Sequence, residues 1–105
     1  MSKRLLSERN FIELLLTTDK LQAKALMEII TTSQAEALIE IFTNLLRLKV
    51  SEETALLLRR RRRLVKILVD KKNKLSVKLK AIRQHIRQVY GTLLSVKHQL
   101  LRLLK

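Results

Sequence analysis

From residue 75 onward, apolar side chains fall at Leu75, Leu79, Ile82, Ile86, Val89, Leu93, Val96, Leu100 and Leu103, a spacing of 4,3,4,3,4,3,4,3 with no break. A half-buried strand would alternate by two and a loop would show no period, so a sustained 3.5-residue repeat lays one apolar stripe along a helix. With Leu79 at heptad position a, the d positions are Ile82, Val89, Val96 and Leu103. These nine residues are the expected helix-packing seam, on a helix of about 29 residues and roughly 43 Å. Gly91 falls at position f, away from the seam, where it should cost about 1 kcal/mol in helix propensity and nothing in packing.

The rest of the chain points the same way. In 105 residues there is no Pro, no Cys and one Gly, so the residues that build turns are nearly absent and disulfide, zinc-ribbon and thiol chemistry are excluded. Apolar residues make up 47%, enough for a modest core and against a wholly disordered chain. The expected fold class is all-α: short N-terminal helices packed as a small bundle, then a basic helix, then the long heptad-patterned amphipathic helix.

Five helical segments are expected. Ser7 can cap a first one carrying Phe11, Ile12, Leu15 and Leu16, which ends at Thr17 and Thr18. Asp19, with Gln22 three residues on, has the pattern of a capping box and opens a second, with Leu21, Ala25, Leu26, Ile29 and Ile30 as its apolar stripe. Ser33 with Glu36 forms the next such pattern, followed by Leu38, Ile41, Phe42, Leu45 and Leu46. Ser51 starts the fourth segment, with Glu52 and Glu53 at the positive end of the helix dipole. Its stripe is Leu56, Leu57, Leu64, Ile67 and Leu68, and a polar connector, Lys71-Lys72-Asn73-Lys74, leads to the seam helix.

Charge divides the chain in two. Residues 1–55 hold 7 Lys/Arg and 8 Asp/Glu, whereas residues 56–105 hold 16 Lys/Arg and one acid, Asp70, which gives the net +14 of the whole. Residues 1–50 read as a neutral helical packing or assembly region and 51–105 as a strongly basic helical region. Within it, Arg59, Arg60, Arg61, Arg62, Arg63, Lys66, Lys71, Lys72, Lys74, Lys78, Lys80, Arg83 and Arg87 place 13 cations in 29 residues. Five consecutive arginines sweep most of a helix circumference at about 100° per residue, so some must face solvent or phosphate in any fold. Lys80, Arg83 and Arg87 fall at i, i+3, i+7, on one helix face. Such density suits a polyanion: DNA ahead of RNA, bound by counterion release without base readout. The motifs of base-specific DNA and RNA readers are absent, and three aromatics are too few for base stacking to dominate.

Two other uses of the same residues stand beside this one. The e and g positions of the seam (Lys78, His85, Thr92, Gln99; Arg83, Tyr90, Lys97, Leu104) hold no acid, so a symmetric zipper would set like charges together. The seam is therefore expected to pack on its own chain, on another protein such as a capsid subunit, or on an anionic membrane as a basic amphipathic helix. Self-association is left open. The arginine run followed after seven residues by Lys71-Lys72-Asn73-Lys74 also has the form of a nuclear import signal.

Catalytic and metal chemistry have little to work with. His85 and His98 are thirteen residues apart with no acid near them, and Glu36 and Glu40, at i, i+4, read as capping and solubility residues. There is no Gly-rich phosphate loop, so a non-enzymatic protein without metal or cofactor is expected. Runs of large aliphatic residues stop at three (Leu14–Leu16, Leu56–Leu58, Ile67–Val69), far short of a span, and the opening MSKRLLSERN has no apolar signal core, so neither a transmembrane segment nor secretion is expected.

Across residues 11–86 the chain resembles the small basic helical proteins of Polinton/Maverick and adintovirus-like elements. The shared pattern runs through Lys24-Ala25-Leu26, Ile30-Thr31 with Gln34, Ala37-Leu38 with Glu40-Ile41, and Asn44-Leu45-Leu46. It continues with the basic run Arg59 to Arg63, Lys71-Lys72, Leu75-Ser76, Lys78 and Ile82-Arg83-Gln84. Beyond this the family pattern has a Gly-Gly and a hydrophobic tail, where this chain continues its heptads through His85 to Gly91. The resemblance implies a minor virion or core protein of a virus or transposable element, one that packages DNA, located in the host nucleus or the virion.

Overall fold

The computed structural model describes residues 2–104. Among them the chain forms nine α-helices and no strand: α1 (Lys3–Ser7), α2 (Arg9–Thr17), α3 (Lys20–Glu28), α4 (Thr32–Arg47), α5 (Glu52–Arg60), α6 (Arg62–Val69), α7 (Leu75–Gln84), α8 (Ile86–Ser95) and α9 (Lys97–Leu104). The all-α class is thus observed. Single residues, Glu8, Arg61, His85 and Val96, separate α1 from α2, α5 from α6, and α7, α8 and α9 from one another. Each has φ between −102° and −127° with ψ between 15° and 40°, in the sparsely allowed bridge between the helical and extended regions. The His85 N–H is shared between Ala81 O (3.0 Å) and Ile82 O (3.2 Å), the tightened turn of a helix that changes direction.

These bends replace the expected straight helix. A rod of roughly 43 Å is longer than the body, whose principal extents are 31 × 31 × 28 Å. The chain wraps instead: α7 packs on α3, α4 and α6, α8 on α3 and α5, and α9 on α2. The seam is spent within its own chain as far as Leu100. Ile82, Val89, Leu93, Val96 and Leu100 are buried, Leu75, Leu79 and Ile86 half-buried, and Leu103 is 60% exposed.

Helix starts follow cap chemistry, with two shifts from the expected positions. Ser7 does not cap the helix of Phe11 to Leu16: that helix, α2, follows Glu8 with no side-chain cap, and Ser7 ends α1, which Ser2 caps, its Oγ accepting from the Leu5 N–H at 3.1 Å. The capping box of α4 is Thr31 with Gln34, the side chain of each accepting from the other's backbone N–H. Ser33 is the second residue of the helix and donates to Glu8 Oε1 at 2.9 Å. Asp19 caps α3, accepting from Gln22 N–H at 2.8 Å, and Ser51 caps α5 with Glu52 and Glu53 in the first turn.

The longest helix, α4, lies at the centre, against α1, α6 and α7. It buries Ala35, Ala37, Leu38, Ile41, Phe42 and Leu45, whereas Leu46 is half exposed. One core therefore runs through both charge regions, from Leu5 to Leu100, and the first helices do not form a bundle apart from the rest. In α3 the buried stripe is Ala23, Met27 and Ile30, with Leu26 half-buried. Leu21, Ala25 and Ile29, expected in the stripe, face outward. In α5 and α6 the buried row is Thr54, Leu58, Leu64, Val65 and Leu68, while Leu56 is exposed and Leu57 and Ile67 are half-buried.

Candidate nucleic-acid interface

The thirteen cations of residues 59–87 sit on one supersecondary unit. The α5–α6 segment reverses at residues 70–74 into α7–α8, so that α6 packs beside α7 and α5 beside α8 as an antiparallel helical hairpin. Local chemistry makes the reversal tight. Asp70 Oδ1 accepts from the Lys72 N–H at 2.9 Å, its carbonyl accepts from the Asn73 N–H at 3.1 Å, and Asn73 Nδ2 donates back to Ile67 O at 3.1 Å. The one acid of the basic region thus serves as a turn former. Lys71, Lys72 and Lys74 are left exposed at the hairpin tip.

The arginine run divides by helix geometry. Opposite the buried residues of α6, Arg62, Arg63 and Lys66 are exposed at i, i+1, i+4, and Arg59, on α5 before the bend at Arg61, is exposed as well. Arg60 is also exposed. Arg61 goes the other way. Its Nη1 donates to Gln88 O at 2.7 Å and to Thr92 Oγ1 at 2.8 Å, and Gly91 lies beneath the guanidinium. Gly91 therefore has a packing role, which its heptad position did not reveal. Beside this contact Thr54, fully buried, donates from Oγ1 to Ser95 Oγ at 3.1 Å and accepts from Ser51 Oγ at 3.1 Å. These polar contacts hold α5 to α8.

The remaining cations are placed unequally. Lys80 and Arg87 are exposed. Arg83 is also exposed, but its Nη2 donates to Ile30 O at 3.1 Å, beyond the C-terminus of α3. Lys78 is half-buried in a shallow depression lined by Arg4, Glu36 and Glu40. The bend at His85 separates Arg87, on α8, from Lys80 and Arg83, on α7.

Three acidic side chains of the first half are engaged by other residues of that half. Glu36 Oε2 pairs with Arg4 Nη2 at 3.0 Å, Glu40 Oε2 accepts from Ser2 Oγ at 2.8 Å, and Glu8 Oε1 accepts from Ser33 Oγ at 2.9 Å. The other ion pair among the described residues joins Lys24 to Glu28 at 4.0 Å. None of the thirteen cations is in an ion pair among those residues. Two cations that sequence reasoning left out, Lys20 and Lys24 of the neutral half, share a groove with Arg83 and Arg87. Their i, i+4 spacing on α3 was the available signal.

His85 and His98 are exposed, and among the described residues no group of three or more His, Cys, Asp or Glu side chains is placed to hold a metal ion. No described helix is long and apolar enough to cross a membrane. No protein-family model, curated protein or solved structure matches this chain.

Proposed function

We propose that this is a non-enzymatic protein that binds nucleic acid without sequence preference, DNA ahead of RNA, through the cationic hairpin α5–α8. The observation that carries the reading is a run of thirteen arginines and lysines, none of which is in an ion pair among the described residues. Net +15 over residues 56–105 repels itself and is relieved by a polyanion. The exposed side chains of Arg59, Arg62, Arg63 and Lys66, with Lys71, Lys72 and Lys74 at the tip, offer guanidinium and ammonium groups to phosphate oxygens.

Condensing a viral or transposon genome in a particle, in the host nucleus or the virion, is the concrete form of this reading. It draws on the resemblance to Polinton/Maverick and adintovirus-like proteins and on the import-signal form of residues 59–74. Retention on immobilised DNA against salt is the test. Engagement of about 8 phosphates gives a log–log slope near −7 and near-equal affinity for unrelated duplexes. Retention that does not fall between low and moderate salt overturns the proposal.

A second reading, a helical scaffold or minor capsid interaction protein, is favoured by one observation. Leu48 and Leu103, each 60% exposed, border an apolar groove of about 330 Å³ formed by α1, α4 and α9. A defined oligomer in light scattering that survives nuclease treatment selects it over the first. Anionic-membrane binding by residues 75–105 is a weaker third, because the seam that would enter the lipid is already turned into the core as far as Leu100.

A further inference from the structure

The helix α3 has two apolar faces and its own chain covers one of them. Ala23, Met27 and Ile30 are buried, whereas Leu21 (79% exposed), Ala25 and Ile29 (75% exposed) stand outward at i, i+4, i+8. Exposed leucines scattered singly are ordinary; a helical row of them beside a concavity is a surface with a direction. Leu21, at the start of the row, also lines a groove of about 530 Å³ between α3 and the α7–α8 bend. Leu21, Ile86 and Tyr90 supply its apolar part, and Lys20, Lys24, Arg83 and Arg87 surround them. The one acid there, Glu28, lies 4.0 Å from Lys24 Nζ.

We propose that this groove docks an amphipathic helix of a partner protein, apolar on the side that meets Leu21 and Ile86 and acidic along both flanks. Charge and shape together select this occupant. A phosphate backbone would answer the four cations but gain nothing from the apolar floor. A bilayer surface would meet the convex ridge of α3 but leave the recess beside it unfilled. A helix of about 10 Å diameter fills a groove between two helices and presents apolar residues at the i, i+4, i+7 spacing that such grooves receive. A second copy of this chain does not qualify. It is net +14, so its approach would set like charges together. The groove shares Arg83 and Arg87 with the proposed nucleic-acid surface, but Lys20, Leu21 and Lys24 lie outside the hairpin, so substitution at Leu21 tests peptide docking apart from DNA binding.

The test is fluorescence anisotropy at near-physiological salt with a designed peptide probe of about four helical turns, leucines at i, i+4, i+7 and glutamates on the flanks. The comparison is a peptide of identical composition with the period scrambled. The patterned peptide should bind at least about ten-fold more tightly, a difference of about 1.4 kcal/mol. Leu21→Glu should remove that margin; because Leu21 is 79% exposed, its circular dichroism should match the parent. Combined Arg59→Gln, Arg62→Gln and Arg63→Gln should leave peptide affinity within about two-fold while DNA retention falls. Equal affinity for the two peptides, no binding of either, or insensitivity to Leu21→Glu overturns the proposal. So does Leu21-dependent binding to phosphatidylserine vesicles or to a DNA duplex without binding of the patterned peptide, which would assign the groove to lipid or nucleic acid.

Discussion

A Cβ placed on Gly91 would lie 3.2 Å from Arg61 Nη1. The same nitrogen donates to Gln88 O at 2.7 Å and Thr92 Oγ1 at 2.8 Å, so one arginine of the five lies along the one stretch of α8 that has no side chain in its way. Glycine inside a helix costs about 1 kcal/mol against alanine. The charge-assisted bonds it admits are worth about 1.5–3 kcal/mol each at most, and less here because Arg61 is partly exposed.

Gly91→Ala is therefore expected to change stability little, because the gain in propensity is offset by displacement of the guanidinium. In an Arg61→Gln background the same change should stabilise by about 1 kcal/mol. A double-mutant cycle on urea midpoints reads the difference. Additive effects would mean that the two residues do not interact.

Neighbouring arginines should separate stability from affinity. Arg61→Gln is expected to lower stability by about 1–2 kcal/mol while leaving the salt slope of DNA binding almost unchanged. Arg62→Gln and Arg63→Gln should stay within about 0.5 kcal/mol of the parent in stability, and each should reduce the slope by about 1. Urea melts and salt titrations on the three single variants are the measurement. A loss of DNA affinity at Arg61 equal to that at Arg62 would count against the division of the run into one inward and four outward groups.

The α5 start should be a weak point. Ser51 caps the helix through the Thr54 N–H at 3.2 Å and also donates to the Thr54 hydroxyl, which in turn reaches Ser95. Ser51→Ala is expected to cost about 1 kcal/mol as a lost cap. Thr54→Val keeps the volume and loses the buried hydroxyl, at about 1–3 kcal/mol. Thermal denaturation followed by circular dichroism at 222 nm tests both, and a Thr54→Val protein as stable as the parent would remove the hydroxyl chain from the account of how α5 is held.

The seam gives a graded expectation along its length. Ile82→Ala, at a fully buried site, should cost about 2–5 kcal/mol. Leu103→Ala, at a site 60% exposed, should fall within about 0.5 kcal/mol of the parent. Chemical denaturation of the monomer distinguishes this from a seam that serves a partner, for which Leu103→Ala would instead lower the apparent oligomer mass.

Several features were legible before any coordinates. The period at residues 75–103, the near absence of Gly and Pro, and Asp19 and Ser51 at helix starts lead to the all-α class, although the five expected segments are nine helices among the described residues. That the arginine run cannot share one buried face follows from helix geometry alone. Less legible was which of two apolar rows of α3 would face the core, since Leu21, Ala25 and Ile29 match the helical period as well as Ala23, Met27 and Ile30 do. The Thr31–Gln34 box was hidden by Ser33 and Glu36 two residues on, which have equal local merit.

The sequence by itself determined the helices and the charge asymmetry, because propensity, caps and side-chain charge are properties of the residues at each position. Tertiary structure decided the bends at His85 and Val96, the inward turn of Arg61 over Gly91, and the meeting of Lys20 and Lys24 with Arg83 and Arg87. Each depends on contacts between residues 27 or more positions apart or on the length of a helix relative to the body it must cover. A periodic pattern specifies that a stripe is buried; only the packed globule specifies what buries it and where the helix must bend to stay in contact.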